Sequence, residues 1–156
     1  MSTAVVTLPE QEEDESLLQL VTFSLNGELF ALDILKVQEI IRVSSITPVP
    51  HTPAYVEGVI TLRGQILPII DLGTRFGLAR STYTNDTRIM VVNVNQVVLG
   101  VAVDSVHEVT RMREEDMEPA SAMGGNINDY VLGIGKFGGK LITVVDIDAI
   151  ALPLGG

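Results

Sequence analysis

The sequence predicts an all-β fold in which two small barrels lie fused side by side, and three observations carry that expectation. Apolar residues alternate with polar ones over much of the chain beyond Leu20, dipeptides suited to tight hairpins separate the alternating runs, and the second half repeats the element order of the first.

Residues 1–17 mix small, polar and acidic types without apolar periodicity. They cannot bury enough surface to offset an ordering entropy of about 1–2 kcal/mol per residue, so a disordered acidic tail is expected. Beyond it, Val21, Phe23 and Leu25 point one way and Thr22, Ser24 and Asn26 the other, as in a half-buried strand. Asn26-Gly27 supplies two residues tolerant of positive φ, which a type I′ hairpin requires, and residues 29–32 return as the second strand. Asp33 can cap a short helix over 33–42, with Ile34, Val37, Ile40 and Ile41 on one face. Pro48, Pro50 and Pro53 then fix φ and remove donors, which makes their segment a surface loop.

Further strands are expected at 56–62 and 65–72 around an Arg63-Gly64 turn, and at 88–94, 97–104, 106–112, 130–137 and 140–147, with Gly138-Gly139 at the last hairpin tip. Residues 113–118 suit a helical turn, and 120–129 form a Gly/Asn-rich loop. A shift of 75 residues lays Gly58 on Gly133, Gly64 on Gly139 and Asp71 on Asp146; a shift of 69 lays Asn26 on Asn95, Val37 on Val106, Glu39 on Glu108 and Arg42 on Arg111. Closing each half into a barrel hides its edge hydrogen-bonding groups, and packing the two together adds a shared core.

The chain has no Cys, which removes disulfides, thiolate metal sites and cysteine nucleophiles and suits a reducing cytosol. No apolar run approaches the roughly 18 residues of a membrane span. A net charge of −10 opposes nucleic acid and anionic lipid, although half of it comes from Glu10, Glu12, Glu13, Asp14 and Glu15. Gly133-Ile-Gly-Lys-Phe-Gly138 has dinucleotide-motif spacing, but a strand follows where that motif needs a helix N-terminus, so a hairpin is the better reading. Asp146 and Asp148 share strand spacing without a third oxygen-rich cluster, and His51 and His107 have no local ligand spacing. The residues therefore call for no catalytic group, no metal and no cofactor. The apolar share of 46% exceeds what a small β protein needs, so part of it is expected at the surface as protein contacts, with Val37, Ile40 and Ile41 as candidates.

Phe30-Ala-Leu-Asp-Ile-Leu-Lys-Val-Gln-Glu-Ile40, Pro53-Ala-Tyr-Val-Glu-Gly-Val-Ile-Thr-Leu-Arg-Gly64 and Ile66-Leu-Pro-Ile-Ile-Asp-Leu72 resemble the CheW family, as do Val98-Leu-Gly-Val-Ala-Val-Asp-Ser-Val-His-Glu-Val109 and Tyr130-Val-Leu-Gly-Ile-Gly135. The resemblance implies one CheW-like domain over 18–153, built of two five-stranded SH3-like barrels with short helical segments, the first over roughly 18–86 and the second over roughly 87–153. It implies a cytoplasmic, non-enzymatic chemotaxis adaptor recruited to membrane receptor arrays. The implied partners are the regulatory domain of the histidine kinase CheA, the cytoplasmic tip of a methyl-accepting chemotaxis receptor, and other CheW-like domains, with neither nucleic acid nor direct membrane insertion.

By family position, Glu39, Arg63, Gly100, Val106 and Val109 are expected at the receptor surface, and Val37, Ile40 and Gly58 at the kinase surface. Glu39 is the expected charge partner of Arg63. Thr61 stands where the family motif has asparagine, and Arg88 where an apolar residue is common, which bears on receptor preference. Two other readings stay open: an array scaffold that does not activate the kinase, and a small-molecule or flavin-binding barrel enzyme suggested by the glycine-rich turns.

Overall fold

The structure, a computed structural model, describes residues 17–78, 82–119 and 130–150. The expected acidic tail and the 120–129 loop lie outside the described residues, apart from Leu17, which already belongs to the first strand. Leu17–Leu25 (β1) and Glu28–Asp33 (β2) form the first hairpin, and its turn residues Asn26 and Gly27 take φ values of 54° and 84°. Paired positive φ values also turn the chain at 63–64, 95–96 and 138–139, the type I′ requirement.

The expected helix over 33–42 is corrected. Asp33 does cap a turn, accepting from the Leu35 amide at 2.9 Å, but the turn is a 3-10 element of three residues, Ile34–Lys36. Val37–Arg42 then runs as a strand (β3) with alternating exposure. Three of its six residues are β-branched, and its neighbour Arg88–Val94 (β6) offers a ladder that satisfies the backbone without a helix.

Val56–Leu62 (β4) and Gln65–Asp71 (β5) follow, and Val97–Val103 (β7) completes a hairpin with β6. Ser105–Arg113 (β8), Glu118–Pro119 (β9), Val131–Phe137 (β10) and Lys140–Val145 (β11) finish the described strands. A 3-10 turn at Glu114–Asp116 fulfils the expectation for 113–118.

Two sheets result, in the orders β8-β1-β2-β11-β10-β9 and β3-β6-β7-β5-β4. The expected division near residue 86 is therefore corrected. Hairpin β1–β2, from the first half, lies in the sheet made otherwise of β8–β11, while hairpin β6–β7, from the second half, lies among β3, β4 and β5. The two halves exchange their leading hairpins, and the duplication survives in the pairing. β1 meets β8 as β6 meets β3, and the parallel pair β2–β11 matches the parallel pair β7–β5.

Each sheet curls back on itself at one edge. Beyond β3, Thr47 bridges Val59 of β4 through two backbone bonds of 2.9 Å, and beyond β8 the short β9 pairs with β10. These brief ladders make curled sheets of five and six strands where fully closed barrels of five were expected.

The exchange explains the apolar content. Strands β1, β2, β6 and β7 are covered on both faces: Phe23, Leu32, Met90, Val92 and Val101 enter a core shared between the sheets. Ile89, Val91 and Ala102 face a small core within the five-stranded sheet, and Leu20 and Ala31 one within the six-stranded sheet. The repeat also builds a clasp. Asp71 and Asp146 each cap a following turn at 3.3 Å, and their amides donate to Tyr55 O and Tyr130 O at 2.7 and 2.8 Å. The Arg75 guanidinium lies between those two tyrosine rings, 4.6 and 4.4 Å from their centroids.

Candidate functional site

Arg63 occupies the first central position of the β4–β5 turn with φ of 51°, where an L side chain costs about 1–2 kcal/mol relative to glycine. From that tip it reaches edge strand β3 and grips Glu39 with both arms: Nη1 donates to Oε2, and Nη2 donates to Oε1 at 2.8 Å. The Glu39 side chain is 27% exposed and that of Arg63 70%.

Hydrogen bonding from Arg63, helped by its positive charge, holds the Glu39 carboxyl below its ordinary value, and the reciprocal bonds raise Arg63. The fork-to-fork geometry fixes the hairpin tip against the sheet edge, while the screened surroundings limit what it adds to stability. A bulge between Val37 and Glu39 shifts the register so that Val37 pairs with Val92 and Ile40 with Met90 on one face of the sheet; Val37 packs on the shared core there, and Ile40 is 41% exposed.

The other expected positions divide by burial. Val109 on β8 is 48% exposed, and under the 69-residue shift it is the counterpart of Ile40; Val106 is half-buried on the shared core, as its counterpart Val37 is. Gly58, expected at the kinase surface, and Gly100, expected at the receptor surface, are both buried. Gly58 has φ of 149°, and a Cβ there would press on the Thr47 carbonyl and lie 2.9 Å from Ile46 Cγ2. A Cβ on Gly100 would lie 2.6 Å from Ile69 Cδ1 and 2.7 Å from Ile89 Cγ2. Both glycines shape the backbone under the surface.

Sequence reasoning missed several exposed apolar residues: Leu35, Ile66, Leu132, Phe137 and Leu141. The repeat held a usable signal, because Ile66 and Leu141 are counterparts under the 75-residue shift and are exposed by 70% and 64%. Asp146 and Asp148 do not share a strand, since β11 ends at Val145, and among the described residues no three His, Cys, Asp or Glu converge as metal ligands. His51 sits on an exposed loop, and His107 is exposed on β8 with Nε2 3.1 Å from Ser105 Oγ. Among the described residues no helix is long and apolar enough to cross a membrane.

Comparison with known proteins agrees with this geometry. Residues 19–152 match the model of the CheW-like domain family. The chain is 36% identical over 141 residues to chemotaxis protein CheW of Helicobacter pylori, covering 90% of this chain and 86% of that protein. To chemotaxis protein CheW of Treponema pallidum it is 36% identical over 145 residues, covering 90% and 85%. The crystal structure of the scaffolding protein TtCheW from Thermoanaerobacter tengcongensis superposes with a TM-score of 0.77 at 40% identity, over 82% of this chain and 88% of that one.

Proposed function

The chain belongs to the CheW-like domain family, and from that premise we propose that it couples the cytoplasmic tips of chemoreceptors to the histidine kinase CheA and helps assemble their arrays at the membrane. It is a non-enzymatic chemotaxis adaptor, in keeping with the family and with a solved relative described as a scaffolding protein.

The observation that carries the finer reading is the Arg63–Glu39 grip beside exposed Ile40. Glu39 and Ile40 point to opposite faces of β3, so one edge strand offers two different contacts: the oriented fork supplies register to one partner and the exposed apolar side chain supplies affinity for the other. Glu39 and Arg63 are assigned to the receptor, with Val106 and Val109 on β8 forming the other wall of its site. Ile40 is assigned to the regulatory domain of the kinase, with Val37 and Gly58 holding the backbone beneath it. Other CheW-like domains dock through the same paired sheets.

The test is a reconstituted kinase assay with receptor fragments. The wild-type protein raises kinase activity in the presence of receptor, and Arg63→Glu, which turns an attractive pair into a repulsive one, removes that rise while the folded fraction holds. Association without activation assigns the protein to scaffolding alone. Equal loss of folding and binding assigns Arg63 to structure and sinks its role in recognition.

A further inference from the structure

The two sheets differ at one place where the repeat makes them comparable. At the end of the five-stranded sheet between β3 and the β4–β5 tip, Ile41, Leu62 and Val98 pack on the small core, and the Arg63–Glu39 pair spans the gap. The corresponding end of the six-stranded sheet, between β8 and the β10–β11 tip, holds a cleft of about 350 Å³. Glu108 stands there as the counterpart of Glu39, and Gly138 as the counterpart of Arg63, so the guanidinium that spans one end is missing from the other. Phe137, the counterpart of packed Leu62, is 42% exposed at the rim.

Two polar groups that line the cleft have no protein partner among the described residues, the exposed carboxylate of Glu108 and the buried hydroxyl of Thr110. Among the described residues the Glu108 carboxylate has no hydrogen bond or ion pair; the bond at this residue runs from Thr22 Oγ1 to its backbone carbonyl, at 2.7 Å. Thr110 is 4% exposed, and its Oγ1 is buried without a hydrogen-bond partner. A buried hydroxyl left so costs about 1–3 kcal/mol, which a guest bringing N–H donors recovers.

We propose that this cleft takes the arginine side chain of a partner protein, whose guanidinium pairs with Glu108 and Thr110 as Arg63 pairs with Glu39. A guanidinium matches the donor set, since it carries five N–H groups, enough for a bidentate carboxylate and one more acceptor. Its aliphatic stem lies against Ile142, and Phe137 offers a ring face. Lys140 and His107 also line the cleft, but both are exposed and sit at its rim, where Lys140 opposes a cationic guest. The adaptor reading supplies the partner, while the binding chemistry stands on the cleft itself.

The test titrates the isotopically labelled full chain with the blocked tripeptide N-acetyl-Leu-Arg-Gly-amide, a copy of the Leu62–Gly64 tip, and with its citrulline counterpart, which keeps the shape and loses the charge. The arginine peptide produces saturable amide shifts at Glu108, Thr110 and Gly138, and citrulline binds at least about tenfold more weakly. Glu108→Gln weakens the arginine peptide by about tenfold, and Lys140→Ala tightens it. Gly138→Arg fills the cleft from within and abolishes binding while the protein stays folded; position 138 has φ of 60° where Arg63 itself takes 51°, so the turn admits the side chain with a fall in thermal midpoint of only roughly 2–8 °C. No saturable shift, equal binding of citrulline, or an unaltered affinity in Glu108→Gln overturns the proposal. Any of these leaves kinase coupling standing, and loss of kinase coupling leaves the titration unaffected, so the two readings fail separately.

Discussion

Gly58→Ala separates a glycine that shapes the fold from one that touches a partner. A Cβ at this position would press on the Thr47 carbonyl oxygen, lie 2.7 Å from Thr47 C and 2.9 Å from Ile46 Cγ2, and require an L residue at φ of 149°. The obstructing atoms are mostly backbone, so no side chain can swing aside. The 46–47 segment must lift away, which breaks the two 2.9 Å bonds between Thr47 and Val59 that draw the five-stranded sheet round. At about 1 kcal/mol for each bond, with about 1–3 kcal/mol of backbone strain, the loss comes to about 3–5 kcal/mol. For a chain of this size that lowers the thermal midpoint by roughly 6–20 °C. Urea unfolding followed by circular dichroism measures it, with two controls. Gly27→Ala meets nothing within 4 Å and changes only turn strain at φ of 84°, a loss of about 1–2 kcal/mol. Gly133→Ala, the counterpart of Gly58, meets Met117 Cγ at 2.5 Å and Glu118 O at 2.6 Å without positive φ, and falls between the two. A Gly58→Ala protein as stable as wild type to within about 0.5 kcal/mol, yet impaired in kinase binding, would falsify the packing role and return this glycine to the contact surface.

Three further perturbations probe other parts of the molecule. Because Arg63 holds the Glu39 carboxyl below 4.5, what the pair contributes is present above that pH and is lost as pH falls through the lowered folded value; Arg63→Gln brings Glu39 back up to the ordinary range, read by carboxyl NMR titration. Arg75→Ala removes a cation held between Tyr55 and Tyr130 and costs about 1–3 kcal/mol, and a double-mutant cycle with Tyr130→Leu shows coupling if the stacking is real. Residues 1–80 and 81–156, produced apart, each lack the hairpin that completes their sheet and fail to unfold cooperatively, whereas mixing them restores a cooperative transition; cooperative unfolding of either alone refutes the exchange.

Strand positions were legible because alternation and hairpin turns are local properties: β4 and β6 fall at their expected bounds, and Asn26-Gly27 turns as read. The helix over 33–42 failed for an instructive reason. Ile34, Val37, Ile40 and Ile41 have helical spacing and would split between the two faces of a strand, so periodicity pointed the wrong way over this short span and the ladder offered by β6 overrode it. Which strands pair across the chain is not local, so the exchange of hairpins could not be read from periodicity. It left a trace, though: Ile89-Met-Val-Val92 and Val97-Val-Leu-Gly-Val-Ala-Val103 are apolar on both faces, as strands between two cores must be. At the site, the charge complement of Glu39 and Arg63 was legible, and the burial of Gly58 and Gly100 was not, because a glycine in a motif carries no sign of which side approaches it.

The exchange bears on how an adaptor with two surfaces holds them in fixed relation. Two barrels joined only by a linker would leave the orientation of their surfaces to a polar interface of modest size. Here neither sheet can form without a hairpin from the other half, so moving one against the other means opening the core that contains Phe23, Leu32, Met90 and Val101. The relation between Ile40 on one sheet and Val109 on the other is therefore as rigid as the fold itself, which suits the proposed role of presenting two partners at a set angle. Against that common frame, divergence between the copies is where their roles part. The glutamates were kept at 39 and 108, and only the hairpin facing Glu39 carries an arginine. One end of the molecule thus satisfies its own carboxylate, while the other leaves its carboxylate and the buried Thr110 hydroxyl to be met from outside.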